Sequence, residues 1–161
     1  MTTMIRLFVM DVDGTMTDGA VFLDGDGGEF KRFDVRDGLG VARLTISGVR
    51  VAIISGRHSA VTERRARELG IGIVVQGVKD KLSELTRLVA EMGLSPEEIA
   101  YIGDDVNDRE WIAWAGRGFA PSDARPEARE AADVVTEAPG GYGAVRDAVE
   151  DILSFNEKAD K

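Results

Sequence analysis

In Ile5-Arg6-Leu7-Phe8-Val9-Met10-Asp11-Val12-Asp13-Gly14-Thr15, a mainly apolar run stops at two aspartates and a glycine. An apolar run of this length bounded by turn residues reads as a buried β-strand. It delivers a pair of carboxylates to the turn that follows. A carboxylate in that place can attack phosphorus and form an aspartyl phosphate. A second one, two residues on, can reach the same ligand if the chain turns at Gly14. It could protonate a leaving oxygen and later activate water. A solvated strand-to-loop turn would use the same residue types, so the motif alone leaves both readings open.

Working outward, Val49 to Ile54 reads as a second buried strand ending at Ser55-Gly56. Ile71 to Val75, Ile99 to Ile102, Gly118 to Ala120 and Val134 to Thr136 are shorter strand candidates. Helical patterns lie between them. Ser59 to Leu69 stops at Gly70, and Leu82, Leu85, Leu88, Val89 and Met92 recur at helical spacing before Gly93. Ser95-Pro96-Glu97-Glu98 is a capping box that makes a turn. Ala144 to Phe155 sets Val145, Ala148, Val149, Ile152 and Leu153 on one face, and Asn156 to Lys161 read as a frayed polar end. Trp111 and Trp114, three apart on a helical stretch, read as packing residues.

Strand and helix in alternation imply an α/β fold: a Rossmann-like three-layer α/β/α sandwich around a parallel sheet. Ligands in such sheets bind beyond the carboxyl ends of the strands. One segment departs from the alternation. Residues 20–34 hold two extended runs around Asp24-Gly25-Asp26-Gly27-Gly28, which reads as an inserted β-hairpin. Its acids lack the spacing of a calcium-binding loop. Two strands alone are marginal in water, so Val21, Phe22, Phe30 and Phe33 need a partner surface, such as a second subunit.

Composition narrows the chemistry. The 161 residues carry 20 basic and 29 acidic side chains, a net charge of -9, which argues against nucleic acid as a general partner. Cysteine is absent, which removes thiolate metal sites and cysteine nucleophiles. The single histidine, His58, makes a histidine-built metal site or a Ser-His-Asp triad a poor fit. No run approaches the roughly 20 apolar residues needed to span a bilayer, so no membrane and a cytoplasmic location are the expectation.

The other strand ends are also polar. Ser55-Gly56-Arg57 offers a hydroxyl and backbone N–H groups at a helix start, a suitable cradle for a phosphate oxygen. After the third strand, Lys81 opens a helix, where a cation gains nothing from the helix dipole. That favours a ligand role, with Lys79 as its rival. The fourth strand ends in Gly103-Asp104-Asp105-Val106-Asn107-Asp108. Like charges ~4 Å apart at an effective dielectric of about 20 cost ~4 kcal/mol per pair. A cation relieves this, and oxygen-only ligands beside phosphate chemistry point to Mg²⁺. An acidic helix start is the alternative. All four groups fall at the ends of successive strands, so a parallel sheet gathers them at one edge, as phosphoryl transfer requires.

The four motifs, in this order, resemble the haloacid dehalogenase superfamily over nearly the whole chain. The sequence is too short for a large cap domain. It is most similar to the 3-deoxy-D-manno-octulosonate 8-phosphate phosphatase family. That likeness is carried by Asp11 to Gly19, the hairpin, Asp34 to Gly38, Ser55 to Arg57, Gln76-Gly77 with Lys81, Gly103 to Asp108, and Gly140 to Arg146. The resemblance implies one phosphatase domain over residues 1–161, with the hairpin at 20–34 and a glycine-rich tail and helix at 139–156. It implies Asp11 as nucleophile and metal ligand, and Asp13 as general acid/base that gives its backbone carbonyl to the metal. Asp104 would be the third ligand of Mg²⁺, with Asp105 and Asp108 supporting the metal or Lys81. Ser55 and Lys81 would hold the phosphate. Asp34, Val35, Arg36, Asp37, Gly38, Arg57 and Arg65 would face the sugar acid. The implied assembly is a homotetramer whose hairpins meet centrally. Tyr142 stands where the family often carries arginine, and Thr15 where it usually carries valine.

The implied substrate is the eight-carbon sugar-acid phosphate, with the nine-carbon ester of sialic-acid-like pathways as the near alternative. A non-catalytic assembly domain is a second alternative, disfavoured because every catalytic position is filled. A phospho-accepting receiver domain is a third, and Gln76-Gly77 offers no acceptor at the position that class requires.

Overall fold

The computed structural model of the protein describes residues 2–161. In chain order its elements begin with β1 (Leu7–Met10), β2 (Phe22–Leu23), β3 (Glu29–Phe30), α1 (Val35–Ile46), β4 (Arg50–Ser55), α2 (Ala60–Glu68) and β5 (Ile73–Gln76). They continue with α3 (Lys81–Glu91), β6 (Ile99–Ile102), α4 (Arg109–Trp114), β7 (Arg117–Ala120), α5 (Pro126–Ala131), β8 (Val134–Val135) and α6 (Ala144–Ala159). Six strands form one parallel sheet in the order β5-β4-β1-β6-β7-β8.

Strand β1 explains why the sheet is covered on both sides. Its side chains alternate across the sheet. Phe8 and Met10 enter one core with Val41, Leu44, Ala66, Val145, Val149 and Ile152, from α1, α2 and α6. Leu7 and Val9 enter the other with Leu85, Leu88, Trp111, Ile112 and Ala128, from α3, α4 and α5. All four β1 side chains are fully buried, each stabilising the fold by roughly 1.5–3 kcal/mol. The expected three-layer architecture is present. Trp111 packs in the second core, edge-on to Trp114 with ring centroids 5.8 Å apart.

Two segments differ from the sequence expectation. Residues 35–46 form a helix that no periodic signal had announced, because Gly38 and Gly40 interrupt its apolar pattern. Gly40 faces α6, where a Cβ would press on Arg146 and Val149, so the two helices approach closely there. Helix α6 also continues to Ala159 rather than fraying after Phe155. Its Asn156 is buried and works as a clamp: Oδ1 accepts from Ile5 N at 2.7 Å and Nδ2 donates to Ile5 O at 2.9 Å. The hairpin pairs Phe22 with Phe30 and Leu23 with Glu29. Its turn is held by Asp24 Oδ1, which accepts from Asp26 N and Gly28 N, each at 2.8 Å.

Replacing Asn156 with alanine strands the N–H and C=O of Ile5 in a buried place. The expected loss is about 1–3 kcal/mol for such orphaned groups, measured as a lower urea midpoint with an unchanged slope. A midpoint equal to wild type would show that the clamp is dispensable.

Candidate active site

The four motif-bearing strands, β5, β4, β1 and β6, are neighbours in the sheet. Their carboxyl ends therefore converge on one edge. A cavity of about 260 Å³ opens there, lined by Asp11, Asp13, Ser55, Gly56, Arg57, Lys81, Asp104, Asp105 and Asn107. A larger cavity near Met4, Ser47 and Met92 holds no comparable set of acids.

Lys81 lies at the middle of the site. Asp80 caps α3 by accepting from Leu82 N at 3.1 Å, which makes Lys81 the first helical residue. Its Nζ donates to Asp11 Oδ1 at 3.0 Å and to Asp108 Oδ1 at 3.1 Å. Burial pulls the Lys81 ammonium down, but Asp11 and Asp108 outweigh that and hold it above its ordinary value. Asp108 is fully engaged. Tyr101 OH donates to its Oδ1 at 2.6 Å, and Asp104 N and Asp105 N each reach its Oδ2 at 3.2 Å. Burial and the Asp108 charge push the Tyr101 phenol well above its usual range, so it stays a donor.

Asp11, Asp104 and Asp108 bring carboxylate oxygens within 4.8 Å of one another. Burial, followed by the Asp108 charge, raises the Asp11 carboxyl. Burial, followed by the Asp11 charge, raises Asp104. Lys81 supplies one positive charge to three carboxylates. An all-oxygen cluster in which Asp11 and Asp104 resist ionisation suits a hard divalent cation such as Mg²⁺. Asp108 spends its oxygens on Lys81, Tyr101 and two backbone N–H groups, which leaves Asp11 and Asp104 as the acids free to meet a metal. Gly14 makes this possible: its φ is +84°, and a Cβ there would collide with the Asp104 carboxylate. Thr15 Oγ1 donates to Asp104 Oδ1 at 3.4 Å.

The remaining candidates fall into two groups. Ser55 lines the cavity, its Oγ accepting from Arg57 N at 3.3 Å. Asp105 caps the turn at Val106–Asp108 through Oδ1, which accepts from Val106 N at 2.7 Å. Arg57 lines the cavity and pairs with Glu29 at 2.8 Å. Asp34, Val35, Arg36, Asp37, Gly38 and Arg65 do not line it. Asp34 caps α1 and binds Arg36 through both oxygens, at 3.0 and 2.7 Å. Val35 is exposed. Asp37 Oδ1 accepts from Arg146 N at 2.9 Å, and burial raises its carboxyl to about 6. Gly38 leaves room for the Arg65 guanidinium, which donates to Asp34 O at 3.3 Å.

The glycine-rich tail is docked behind the Asp13 loop. A Cβ on Gly140 would strike Gly14 O, and Gly141 N donates to Thr15 O at 3.1 Å. Arg32 binds Gly141 O and stacks 3.9 Å from the centre of the Tyr142 ring. Sequence reasoning missed Tyr101, Glu29 and Lys31 at this site. Tyr101 was hidden inside an apolar strand, and the two hairpin residues were read only as part of the inserted hairpin.

Residues 71–147 match the family model of haloacid dehalogenase-like hydrolases. The 3-deoxy-D-manno-octulosonate 8-phosphate phosphatase of Yersinia pestis is 44% identical over 154 residues, covering 96% of this chain and 82% of the relative. The enzyme of that name from Escherichia coli K12 is 39% identical over 157 residues, covering 98% and 84%. The Moraxella catarrhalis phosphatase, solved with magnesium, phosphate and a KDO molecule, superimposes with a TM-score of 0.92 at 43% identity, covering 97% of this chain and 90% of that one. A cobalt-bound Haemophilus influenzae phosphatase gives 0.90 at 38% identity, covering 96% and 90%. With its sheet order, its acid cluster and its likeness to these enzymes over nearly its full length, the chain belongs to the 3-deoxy-D-manno-octulosonate 8-phosphate phosphatase family of haloacid dehalogenase-like hydrolases.

Proposed function

We propose that this protein is a Mg²⁺-dependent phosphatase that hydrolyses 3-deoxy-D-manno-octulosonate 8-phosphate to the free sugar acid and phosphate. The observation that carries the reading is the Asp11–Lys81–Asp108 arrangement beside Asp104, at the mouth of the cavity. In this reading an Asp11 oxygen attacks phosphorus and forms an aspartyl phosphate. Asp13 gives a proton to the leaving oxygen and takes one from the water that cleaves the intermediate. Lys81 and Ser55 hold phosphate oxygens, and Asp108 fixes Lys81. Asp11, the Asp13 carbonyl and Asp104 would hold Mg²⁺, with Asp105 at the margin. Bound there, Mg²⁺ neutralises charge between the acids and the incoming phosphate. Arg57 and Lys81 line the cavity and suit a sugar carboxylate or phosphate. Asp34 to Gly38 and Arg65 lie outside this cavity, and their assignment to the sugar acid is supported by the family likeness alone.

The same reading takes residues 1–161 as one domain in a cytoplasmic homotetramer joined through the hairpins. Its support is the apolar surface of the hairpin, where Phe22, Leu23 and Phe30 are 62%, 74% and 68% exposed. Among the described residues no helix is long and apolar enough to cross a membrane.

Steady-state assays with the eight-carbon and nine-carbon sugar-acid phosphates test the function directly. Wild type should release phosphate only with Mg²⁺ and favour the eight-carbon ester. Asp11→Asn should abolish turnover. A preference for the nine-carbon ester would sink the substrate assignment, and activity surviving in Asp11→Asn would sink the nucleophile.

The acid cluster also fixes a pH dependence. Asp11 and Asp104 hold protons more tightly folded than unfolded. Their burial therefore costs nothing below the ordinary carboxylate value of about 4, and the cost grows from there up to the raised folded values, about 6 for Asp11 and about 8 for Asp104, and levels off above them. Metal binding must displace those protons at low pH but meets free carboxylates at high pH. The rise in melting temperature on adding Mg²⁺ to chelator-treated protein should be larger at pH 8 than at pH 5. An equal rise at both would place the metal elsewhere.

A further inference from the structure

Lys31 lies just beyond β3, on the returning arm of the hairpin, and its side chain is 1% exposed. A buried ammonium must be paired. Its Nζ lies 2.9 Å from Asp13 Oδ1, 3.4 Å from Thr62 Oγ1 and 4.0 Å from Glu29 Oε1. Glu29 is itself held by Arg57 at 2.8 Å and by the Ser59 hydroxyl. Thr62 and Ser59 sit at the buried start of α2. Lys31 therefore has no free swing. The Asp13 carboxyl is divided by this contact. Oδ1 is closed to solvent and makes no hydrogen bond among the described residues, so the Lys31 ammonium 2.9 Å away holds it as an ion pair. The side chain as a whole keeps 27% exposure and lines the cavity, and among the described residues Oδ2 has no hydrogen-bond partner.

We propose that Lys31 is a positioning residue for phosphoryl transfer, anchoring Asp13 by Oδ1 so that Oδ2 is the oxygen presented to the leaving group. The inference rests on the phosphatase reading given above. In the first step the bond from Asp11 oxygen to phosphorus forms and the bond from phosphorus to the sugar oxygen breaks. The proton on Asp13 Oδ2 passes to that sugar oxygen. In the second step water attacks the aspartyl phosphate, its proton returns to Oδ2, and Asp11 and inorganic phosphate are released. A carboxyl on a short side chain just before the Gly14 turn is otherwise free to rotate, and each step needs the same oxygen at the same spot. The simpler alternative is that Lys31 only ties the hairpin to the domain.

Leaving-group dependence separates the two. A departing sugar alkoxide needs the proton; p-nitrophenolate leaves without it. The value of kcat/KM reports only steps through the departure of the leaving group, so the second step does not enter. Lys31→Met and Lys31→Gln should each be assayed on p-nitrophenyl phosphate and on whichever sugar-acid phosphate, eight-carbon or nine-carbon, wild type turns over faster. The glutamine variant removes the cation that holds Asp13 but keeps a polar group that can face Thr62, which covers the case in which the methionine variant does not fold. The loss in kcat/KM should be roughly tenfold or more greater for the sugar ester, part of the 10²–10⁴-fold available to a positioned general acid. Lys31→Arg, which keeps the cation, should restore part of that selectivity. Equal losses on both esters, or no loss, in a variant melting as a folded protein would overturn the positioning role. Wild type inactive on every ester would instead overturn the phosphatase reading beneath it.

Discussion

Three carboxylates drawn to one sheet edge, two buried and one half-buried, dictate most of what surrounds them. Asp11, Asp104 and Asp108 lie close enough to repel one another, in a place that burial makes hostile to charge. The chain answers with one lysine from a neighbouring helix start, a tyrosine that donates from inside a strand, and backbone N–H groups from the Asp104 turn. These contacts satisfy Asp108 and leave Asp11 and Asp104 short of positive charge. The remaining deficit is the affinity for a divalent cation. Metal dependence is thus a property of the folded scaffold, set by which acids are already satisfied and which are not.

The sheet topology makes this crowding possible. Because β1 is central and its side chains feed both cores, its end is held rigidly from two sides. Its neighbours β4 and β6 carry Ser55 and Asp104 to the same edge, and β5 leads into Lys81 one strand further out. Rigid strand ends suit a reaction in which positioning and charge do nearly all the work.

This division also explains what could be read from the sequence. The apolar run into Asp11, the acids after Ile102 and the opening lysine of α3 are local signals, each confined to a few consecutive residues, and the alternation of elements was enough to bring them together. Helix α1 escaped because its glycines serve contacts with α6 and Arg65, which have no local signature. Asn156 looked like the start of a polar tail, yet its side chain clamps Ile5 at the other end of the chain. Lys31 and Glu29 looked like ordinary strand-edge charges, and only the folding back of the hairpin gives them partners. Asp34 and Asp37, read as facing a sugar, are engaged within this chain by Arg36 and Arg146. What sequence could not supply is long-range pairing, where the identity of the residue says little until the fold chooses its neighbour.

The docking of Gly140 and Gly141 behind the Gly14 loop bears on the order in which the enzyme is built. On a ribosome the chain emerges from its N-terminus, so Asp11, Ser55, Lys81 and Asp104 are all synthesised before the segment that backs the loop between them. Asn156, which secures Ile5 at the base of the nucleophile's strand, follows later still. The chemistry is encoded early in translation, but the framework that holds it is completed only when the last helix arrives. A nascent chain stalled before that helix would carry the full set of reactive groups without the backing that aligns them.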